Sequence, residues 1–375
     1  MKRFLKILNL SINSLAIVCL LLSAYSTFIS PEKFVIPSFL SLVFLPLLLI
    51  NVLFVAFWIV ELKWFFVLSL ASIILTYGNF KNTLPFKSKE KSQFTLNDST
   101  QFTLLSYNVK LFDFYKKNNK LENLNKTLAY IIEEDADVVC LQEFGYLNAK
   151  AYLNDTDIFA IMAKKYKYKH VQYNMNPNRF STYGVATFSK YPMVNNRRLN
   201  YKSKFNLTIC SDILIGNKTV HLFNCHLESN QLTLDDRKKM SEVVDNNIDQ
   251  EKIKGTTGLL LRKLGTAYKR RAHQADIVAD AINEYDSSVI VCGDFNDSPV
   301  SYTYTTVKGD LVDVFINSSS GLGITYNELP FLFRIDYILH SKNLSSGKFK
   351  IDKVRYSDHY PISCVIDLEN KRTKK

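Results

Sequence analysis

Two long uncharged apolar stretches at the start of the chain constrain its fold most. Residues 7–30 carry no charged side chain and follow Lys2, Arg3 and Lys6; residues 34–60 repeat the pattern after Pro31, Glu32 and Lys33 and stop at Glu61 and Lys63. A helix needs about 20 apolar residues to cross a bilayer, so each run is long enough to span one. A third run, 64–77, has 14 residues, short of the roughly 17 to 25 that a spanning helix uses. Three spans are expected, making residues 1–80 a membrane segment. A cleaved signal peptide does not account for the first run, because its apolar part is too long and a second run follows directly. The runs hold no charge, which argues against a transporter. Basic residues flank both ends of the segment, with Lys81, Lys87, Lys89 and Lys91 after the third run. With Lys2, Arg3 and Lys6 kept in the cytoplasm, three spans carry the rest of the chain to the extracytoplasmic side.

Residues 81–100 turn to Lys, Ser, Asn, Asp and Thr and read as a polar linker. A soluble domain, 101–369, follows, and 370–375 is a basic tail. Within the domain, 102–107 reads as a strand ending in Asn108, 121–134 has helical spacing, and 137–142 is a strand before Glu143. An apolar run led by Gly184 fills 183–189. Residues 207–215 and 219–225 look like a hairpin around Gly216 and Asn217, with His226 after it. A charged stretch, 229–265, leads into a helical run over 259–285. Arg262, Lys263, Lys269, Arg270 and Arg271 there form either a solvated helix face or a basic surface for lipid or substrate phosphates. An apolar run, 311–316, and a final strand to Leu368 complete an α/β pattern with antiparallel pairs. The six cysteines show neither zinc-ligand nor disulfide spacing and read as small core residues. A net charge of +12 favours anionic partners without choosing among nucleic acid, phosphorylated small molecules and acidic lipid.

Polar residues recur where these strands end. In SSVIVCGDFNDSP, Val289 to Cys292 reads as a buried strand that Gly293 ends with a sharp turn. Asp294 and Asn296 follow two residues apart; on extended backbone both point the same way, a carboxylate able to orient or protonate a phosphate oxygen and an amide able to donate to one. A polar turn after a core strand accounts for the same residues equally well. Asn108, Glu143 and His226, each taken alone, also fit turn, cap or surface roles. Asp336 is harder to dismiss, because RIDYIL sets a carboxylate among aliphatic neighbours, where an unpaired charge is costly. Asp358 and His359, adjacent in SDHYP, offer a partner: a carboxylate accepting from an imidazole fixes its tautomer and makes it a general base.

The strings SYNV, LQE, YGVATFSKYP, NCHLES, GDFNDSP, RIDYIL and SDHYPI, in this order, resemble the endonuclease/exonuclease/phosphatase family. The resemblance covers residues 102–368. It implies a four-layer α/β fold, two packed mixed β-sheets flanked by helices, here preceded by transmembrane helices. It also implies a site at one edge and Mg²⁺ or Mn²⁺ as cofactor. Carried over by motif, Asn108 and Glu143 resemble the main metal ligands and Asp358 a position near the metal. His359 resembles the base that activates water, with Asp336 orienting it. His226 and Asn296 resemble stabilisers of charge on the phosphoryl oxygens, and Asp294 the residue that positions the nucleophile or serves the leaving group. Tyr183 suits a core or rim aromatic, and Arg271 with Gln274 a structural pair. Some family nucleases carry an acid two positions after the ligand Asn; Lys110 stands there, which makes abasic-site repair a poor fit.

The expected activity is metal-dependent hydrolysis of a phosphodiester or phosphomonoester by a membrane-anchored protein. The substrate could be nucleic acid, a phospholipid, as for a sphingomyelinase, or a soluble phosphate ester, and membrane lipid is an expected partner. The competing reading is a catalytically idle membrane receptor for an anionic ligand, which would have no need of a general base.

Overall fold

A computed structural model describes residues 2–86, 100–113, 120–145, 155–174, 183–230, 250–328 and 332–369. Most of the 81–100 linker, residues 231–249 of the charged stretch and the 370–375 tail lie outside them. The chain divides into two compact units: Met1–Thr83 with Glu228–Ala275 and Ser298–Thr306, and Leu84–Leu227 with Asp276–Asp297 and Val307–Lys375.

The first unit is built on the apolar runs. They form α1 (Lys2–Tyr25), α2 (Ile36–Ser41), α3 (Phe44–Val60), α4 (Phe66–Leu75) and α5 (Tyr77–Thr83). Among the described residues one helix, Arg3–Tyr25, is long and apolar enough to cross a membrane. The second run does not form one long helix. Pro37 sits in the first turn of α2, and a helix running on into α3 would set the Pro46 ring against the carbonyl of Leu42, so the helix restarts at Phe44. What remains is 17 residues in α3, at the bottom of the roughly 17 to 25 that a spanning helix uses, and 10 in α4, well below it, so the lengths do not support three crossings. Side-chain bonds tie the helices together: Ser69 Oγ donates to Asn13 Oδ1 at 2.7 Å, and Asn51 Nδ2 to the Ala16 carbonyl at 3.1 Å.

Among the described residues, the second unit holds twelve strands in two six-stranded sheets. β1 (Gln101–Asn108), β2 (Val138–Phe144), β3 (Tyr168–Tyr173), β4 (Gly184–Ser189), β11 (Ser345–Ile351) and β12 (Ile362–Asp367) make one, in the order β11-β12-β1-β2-β4-β3. β5 (Met193–Arg198), β6 (Leu207–Ile215), β7 (Lys218–His226), β8 (Val289–Asp294), β9 (Val312–Asp313) and β10 (Asp336–His340) make the other, in the order β5-β6-β7-β8-β10-β9. Each sheet has one parallel pair near its centre, β1 with β2 and β7 with β8; the other pairs are antiparallel. Alternate residues of β1 and β2 serve different cores. Phe102, Leu104, Val138 and Cys140 pack toward Ile213, Leu222, Ile290 and Ile338 of the facing sheet. Leu105, Tyr107, Val139 and Leu141 pack outward, with Leu124, Leu128 and Ile131 of the helix Lys120–Glu134. Strands buried on both faces need apolar side chains throughout, which is why the sequence shows continuous runs there. All six cysteines are free and five are buried.

Two details differ from the sequence expectation. The run 311–316 forms only a two-residue strand before a short helix, Val314–Ser318, whose first N–H groups are capped by Asp313. The long helix begins at Gln250 and ends at Ile282.

Burial of two histidines makes stability depend on pH. Burial lowers His170 to about 4; burial, then the charge of His359, lowers His226 to about 3. Unfolded, both take up a proton near 6.5. Below that value the unfolded chain binds protons that the folded chain refuses, so stability falls as pH drops from about 6.5 toward 4. The limiting slope is about 1.4 kcal/mol per pH unit for each histidine. Denaturation midpoints between pH 7.5 and 4.5 should show this loss, and His170→Gln should remove one proton's share; an unchanged slope would refute the assignment.

Candidate active site

The two parallel pairs set the rim of the site. Their carboxyl ends bring Asn108 at the end of β1, Glu143 near the end of β2, and His226 and Asp294 at the ends of β7 and β8. An antiparallel neighbour begins where its partner ends, so β10 opens with Asp336 opposite Asp294, and the segment entering β12, Ser357 to His359, reaches the end of β1, where Ser357 Oγ donates to the Asn108 carbonyl at 2.8 Å. Asp336 therefore starts its strand rather than lying mid-strand.

Gly293 does not end β8; it continues to Asp294. Its φ is +127°, and a Cβ there would come within 2.0 Å of the Cys225 carbonyl oxygen. The glycine is needed because β7 approaches closely, with His226 in register with Asp294. Asn296 is not extended, having φ +53°. Its backbone N–H donates to Asp294 Oδ1 at 2.8 Å and its Nδ2 to Asp294 Oδ2 at 3.1 Å. A local turn, not strand alternation, joins the pair. Glu143 also owes its aim to an irregularity. The β2–β4 register shifts between Gln142 and Phe144, and at this bulge Glu143 takes φ +47° and turns toward the rim.

Asn108 Nδ2 donates to Asp294 Oδ2 at 2.9 Å and to Glu143 Oε1 at 3.3 Å. Asn108 Oδ1 accepts from the Lys110 N–H at 3.0 Å. The Lys110 ammonium lies 2.8 Å from Asp358 Oδ2. His359 Nδ1 is 2.9 Å from Asp336 Oδ2, and its Nε2 is 3.7 Å from Asp294 Oδ2. Both His359 and Asp336 are buried. The imidazole is held further by Tyr326, whose ring meets it edge-on at 5.1 Å.

These contacts set the electrostatics. Burial opposes charge on His359, but Asp336 and Asp294 outweigh it and hold the imidazole up at about 10. Burial pushes Asp294 up to about 7, with Asp336 adding and His359 opposing. Glu143, a quarter of whose side chain is open, is still pushed up by desolvation and by the charge of Asp358. Among the described residues, the carboxylates of Glu143, Asp294, Asp336 and Asp358 thus share one imidazole held in its charged form, His359, and the Lys110 ammonium. Negative charge in excess, presented through oxygen atoms, suits a hard divalent cation. Among the described residues, Asp294, Asp336 and His359 each bring one possible ligand atom within 4.8 Å of the others. The residues expected to hold a metal, Asn108 and Glu143, lie beside this cluster, and Asp358 is already paired to Lys110.

His226 Nε2 stands 3.7 Å from Glu143 Oε1 and 3.8 Å from Asp294 Oδ2. Sequence reasoning missed its partner Asn206, whose Nδ2 contacts His226 Nε2 at 3.0 Å and donates to the Leu227 carbonyl at 2.9 Å. That orientation makes His226 Nε2 an acceptor and leaves its proton on Nδ1. Beneath the rim, Gln142 Nε2 donates to Asn224 Oδ1 at 2.7 Å, linking the two sheets through buried amides. Tyr183 packs edge-on against Phe205 at 5.0 Å. Arg271 and Gln274 belong to the other unit, where Arg271 Nε donates to the Glu228 carbonyl and Gln274 Oε1 accepts from the Glu228 N–H.

The sequence profile of the Endonuclease/Exonuclease/phosphatase family matches residues 105–359. A domain of unknown function matches residues 3–83. No curated protein matches the chain. Among solved structures, an endonuclease/exonuclease/phosphatase from Beutenbergia cavernae DSM 12333 is similar with a TM-score of 0.52 at 15% identity, over 72% of this chain and 72% of that one. A family protein from Leptotrichia buccalis C-1013-b gives 0.49 at 17% identity, over 71% and 99%. TDP2 of D. rerio, complexed with a single-strand DNA product, gives 0.47 at 16% identity, over 72% and 99%.

Proposed function

The chain belongs to the endonuclease/exonuclease/phosphatase family, and on that premise we propose that it is a membrane-anchored phosphoesterase whose attacking water is activated by His359. The observation that carries this reading is the buried His359–Asp336 pair, 2.9 Å apart, with His359 Nε2 turned toward Asp294. Asp336 fixes the proton on Nδ1 and leaves Nε2 to take one from water. Positive charge brought to these carboxylates lowers the His359 pKa from about 10, so the imidazole becomes a base when the site is charge-compensated. The water oxygen attacks phosphorus as the bond to the leaving oxygen breaks. Asp294, near 7, can hold either the water or the proton that the leaving oxygen needs. Asn296 offers its amide to the phosphoryl oxygens, whereas His226, whose Nε2 accepts from Asn206, would need a proton on that nitrogen to do so. Asn108 and Glu143 would hold a divalent cation, Mg²⁺ or Mn²⁺, with Asp358 adding its charge nearby. Such a cation, when bound, supplies Lewis-acid polarisation of the phosphate and neutralises the leaving oxygen.

The test is a panel of DNA, RNA, sphingomyelin, phosphoinositides and nucleotides with magnesium, manganese or chelator. At least one phosphoester class should be hydrolysed with metal and spared in chelator; full activity in excess chelator would sink the mechanism.

Membrane anchoring is supported by the surface of the apolar helices. Leu15, Leu53 and Ile74 are each about 60% exposed, as lipid-facing residues would be. Lys6 Nζ lies 5.2 Å from the Phe65 ring, beside the start of α4, whereas Asn79 Nδ2 donates to the Ala24 carbonyl near the end of α1. This up-down-up path fits one full crossing by α1, or three if α3 and α4 with α5 also cross. Either odd number puts the catalytic unit outside the cytoplasm when Lys2 and Arg3 stay inside. Alkaline phosphatase fused after Lys375 should be active, and an inactive fusion with cytoplasmic fluorescence would reverse the topology.

A further inference from the structure

The helix Gln250–Ile282 presents two unlike faces between residues 262 and 270. On one, Gly265 and Tyr268 are buried. A Cβ on Gly265 would lie 3.4 Å from the Phe39 ring and 3.7 Å from Val35, and the Tyr268 ring meets Phe39 edge-on at 5.7 Å. Phe39 lies in α2, in the connection between the end of α1 and the start of α3. Ser26, just past the end of α1, donates to the Val300 carbonyl at 3.0 Å, so two segments of this unit cover the same end of the apolar bundle. That end is opposite the one carrying Arg3 and Lys6. If α1 crosses the bilayer, this helix lies at the level of the lipid headgroups.

Its other face is basic. At 100° per residue, Arg262, Thr266 and Arg270 fall in one row with Lys263 and Ala267 beside it. Together with Glu228 and Asn230 they line a cleft of about 340 Å³. Arg262 and Arg270 are exposed. Glu228 is buried and accepts from Arg270 Nη1 at 3.2 Å and from Gln274 Nε2 at 3.2 Å, which fixes one arginine at the wall. Among the described lining residues, Arg262, Lys263 and Arg270 are cationic and Glu228 is the carboxylate. Guanidinium groups match phosphate oxygens in pairs, and the volume is at the small end of ligand sites, the scale of a headgroup. None of the residues at the strand-end cluster lines this cleft.

We propose that the cleft binds the phosphate-bearing headgroup of an anionic phospholipid at the bilayer surface. The chemistry recognised is a phosphate ester, and its source is lipid, because the helix that carries the arginines is seated on the end of the apolar bundle. The inference rests on the membrane placement of that bundle and not on the hydrolytic reading.

The experiment follows thermal unfolding of the full chain in neutral detergent, titrated with dioctanoyl phosphatidylglycerol, dioctanoyl phosphatidylcholine or inorganic phosphate. The anionic lipid should raise the midpoint saturably, and the other two should not. Arg262→Gln with Arg270→Gln should require about 30-fold more anionic lipid for the same rise, taking each basic residue at a membrane surface at its usual strength. Thr266→Glu, which sets a carboxylate in the row without weakening the helix, should abolish the response. Lys342→Gln with Lys348→Gln removes the same charge elsewhere and should leave it intact. Equal stabilisation by inorganic phosphate would assign the cleft to a soluble anion, and an undiminished response in both cleft variants would overturn the site. A chain that stays soluble and monodisperse without detergent would instead bring down the membrane placement.

Discussion

His359→Ala lowers turnover by about three orders of magnitude, the scale expected when a positioned general base is lost. The size follows from position: the imidazole is buried, is fixed by Asp336 at 2.9 Å, and leaves its other nitrogen facing Asp294 at 3.7 Å. Water entering the space left by the ring cannot replace a base that Asp336 keeps in one tautomer. Asp336→Asn should act in the same direction but less strongly, because the ring remains while the carboxylate that orients it and raises its basicity is gone. Steady-state rates on whichever phosphoester the protein hydrolyses would measure both. A His359→Ala protein within a factor of about five of wild type would remove His359 from the reaction.

Gly293→Ala destabilises the fold by more than about 3 kcal/mol, enough to prevent accumulation of folded protein. Two costs combine. The backbone has φ +127°, which an L side chain rarely adopts, and the new Cβ would sit 2.0 Å from the Cys225 carbonyl oxygen and 2.9 Å from its carbonyl carbon and amide nitrogen. Relief requires β7 and β8 to part where they carry His226 and Asp294. Gly216→Ala is the matched comparison: its φ is +60° and nothing lies within 4 Å of the added Cβ, so it costs only about 1 kcal/mol. Denaturant unfolding of both variants separates crowding from backbone preference. Equal stabilities would show that the strands yield easily at residue 293.

The sequence made the centre of each sheet legible because strands buried on both faces cannot alternate: VVCLQ and VIVCGD read as apolar runs with a polar end. The site residues were visible for the same reason, as polar groups placed where apolar runs stop. The edges were not legible. β3 (YKHVQY), β5 (MVNNRR) and β11 (SSGKFKI) are mostly partly buried or exposed, and edge strands with polar side chains lack the signal that a core imposes. Local backbone geometry was also partly hidden. The bulge that aims Glu143 depends on positive φ at a glutamate, for which the sequence carries no marker, whereas the turn that joins Asn296 to Asp294 was one of the two readings those residues left open. Asn206 escaped notice because a lone Asn before a strand is ordinarily a turn residue; only its distance to His226 distinguishes it. Lys110 was visible as a departure from the family pattern, but its pairing with Asp358 spans 248 positions of chain. The apolar runs overstated helix length because Pro46, permitted in a first turn, also marks where α3 has to begin.

The geometry leaves one sharp alternative for the site itself. Asp294, Asp336 and His359 are close enough together to ligate a cation, in which case His359 would hold metal rather than activate water. Titration of Mn²⁺ onto purified wild type, Glu143→Gln and His359→Ala, followed by the paramagnetic signal of the free ion, separates the two directly. With Asn108 and Glu143 as the ligands and His359 as the base, Glu143→Gln should weaken Mn²⁺ binding by about tenfold or more, while His359→Ala binds Mn²⁺ as wild type does and is nonetheless inactive. Loss of Mn²⁺ affinity in His359→Ala equal to or greater than that in Glu143→Gln would contradict the account.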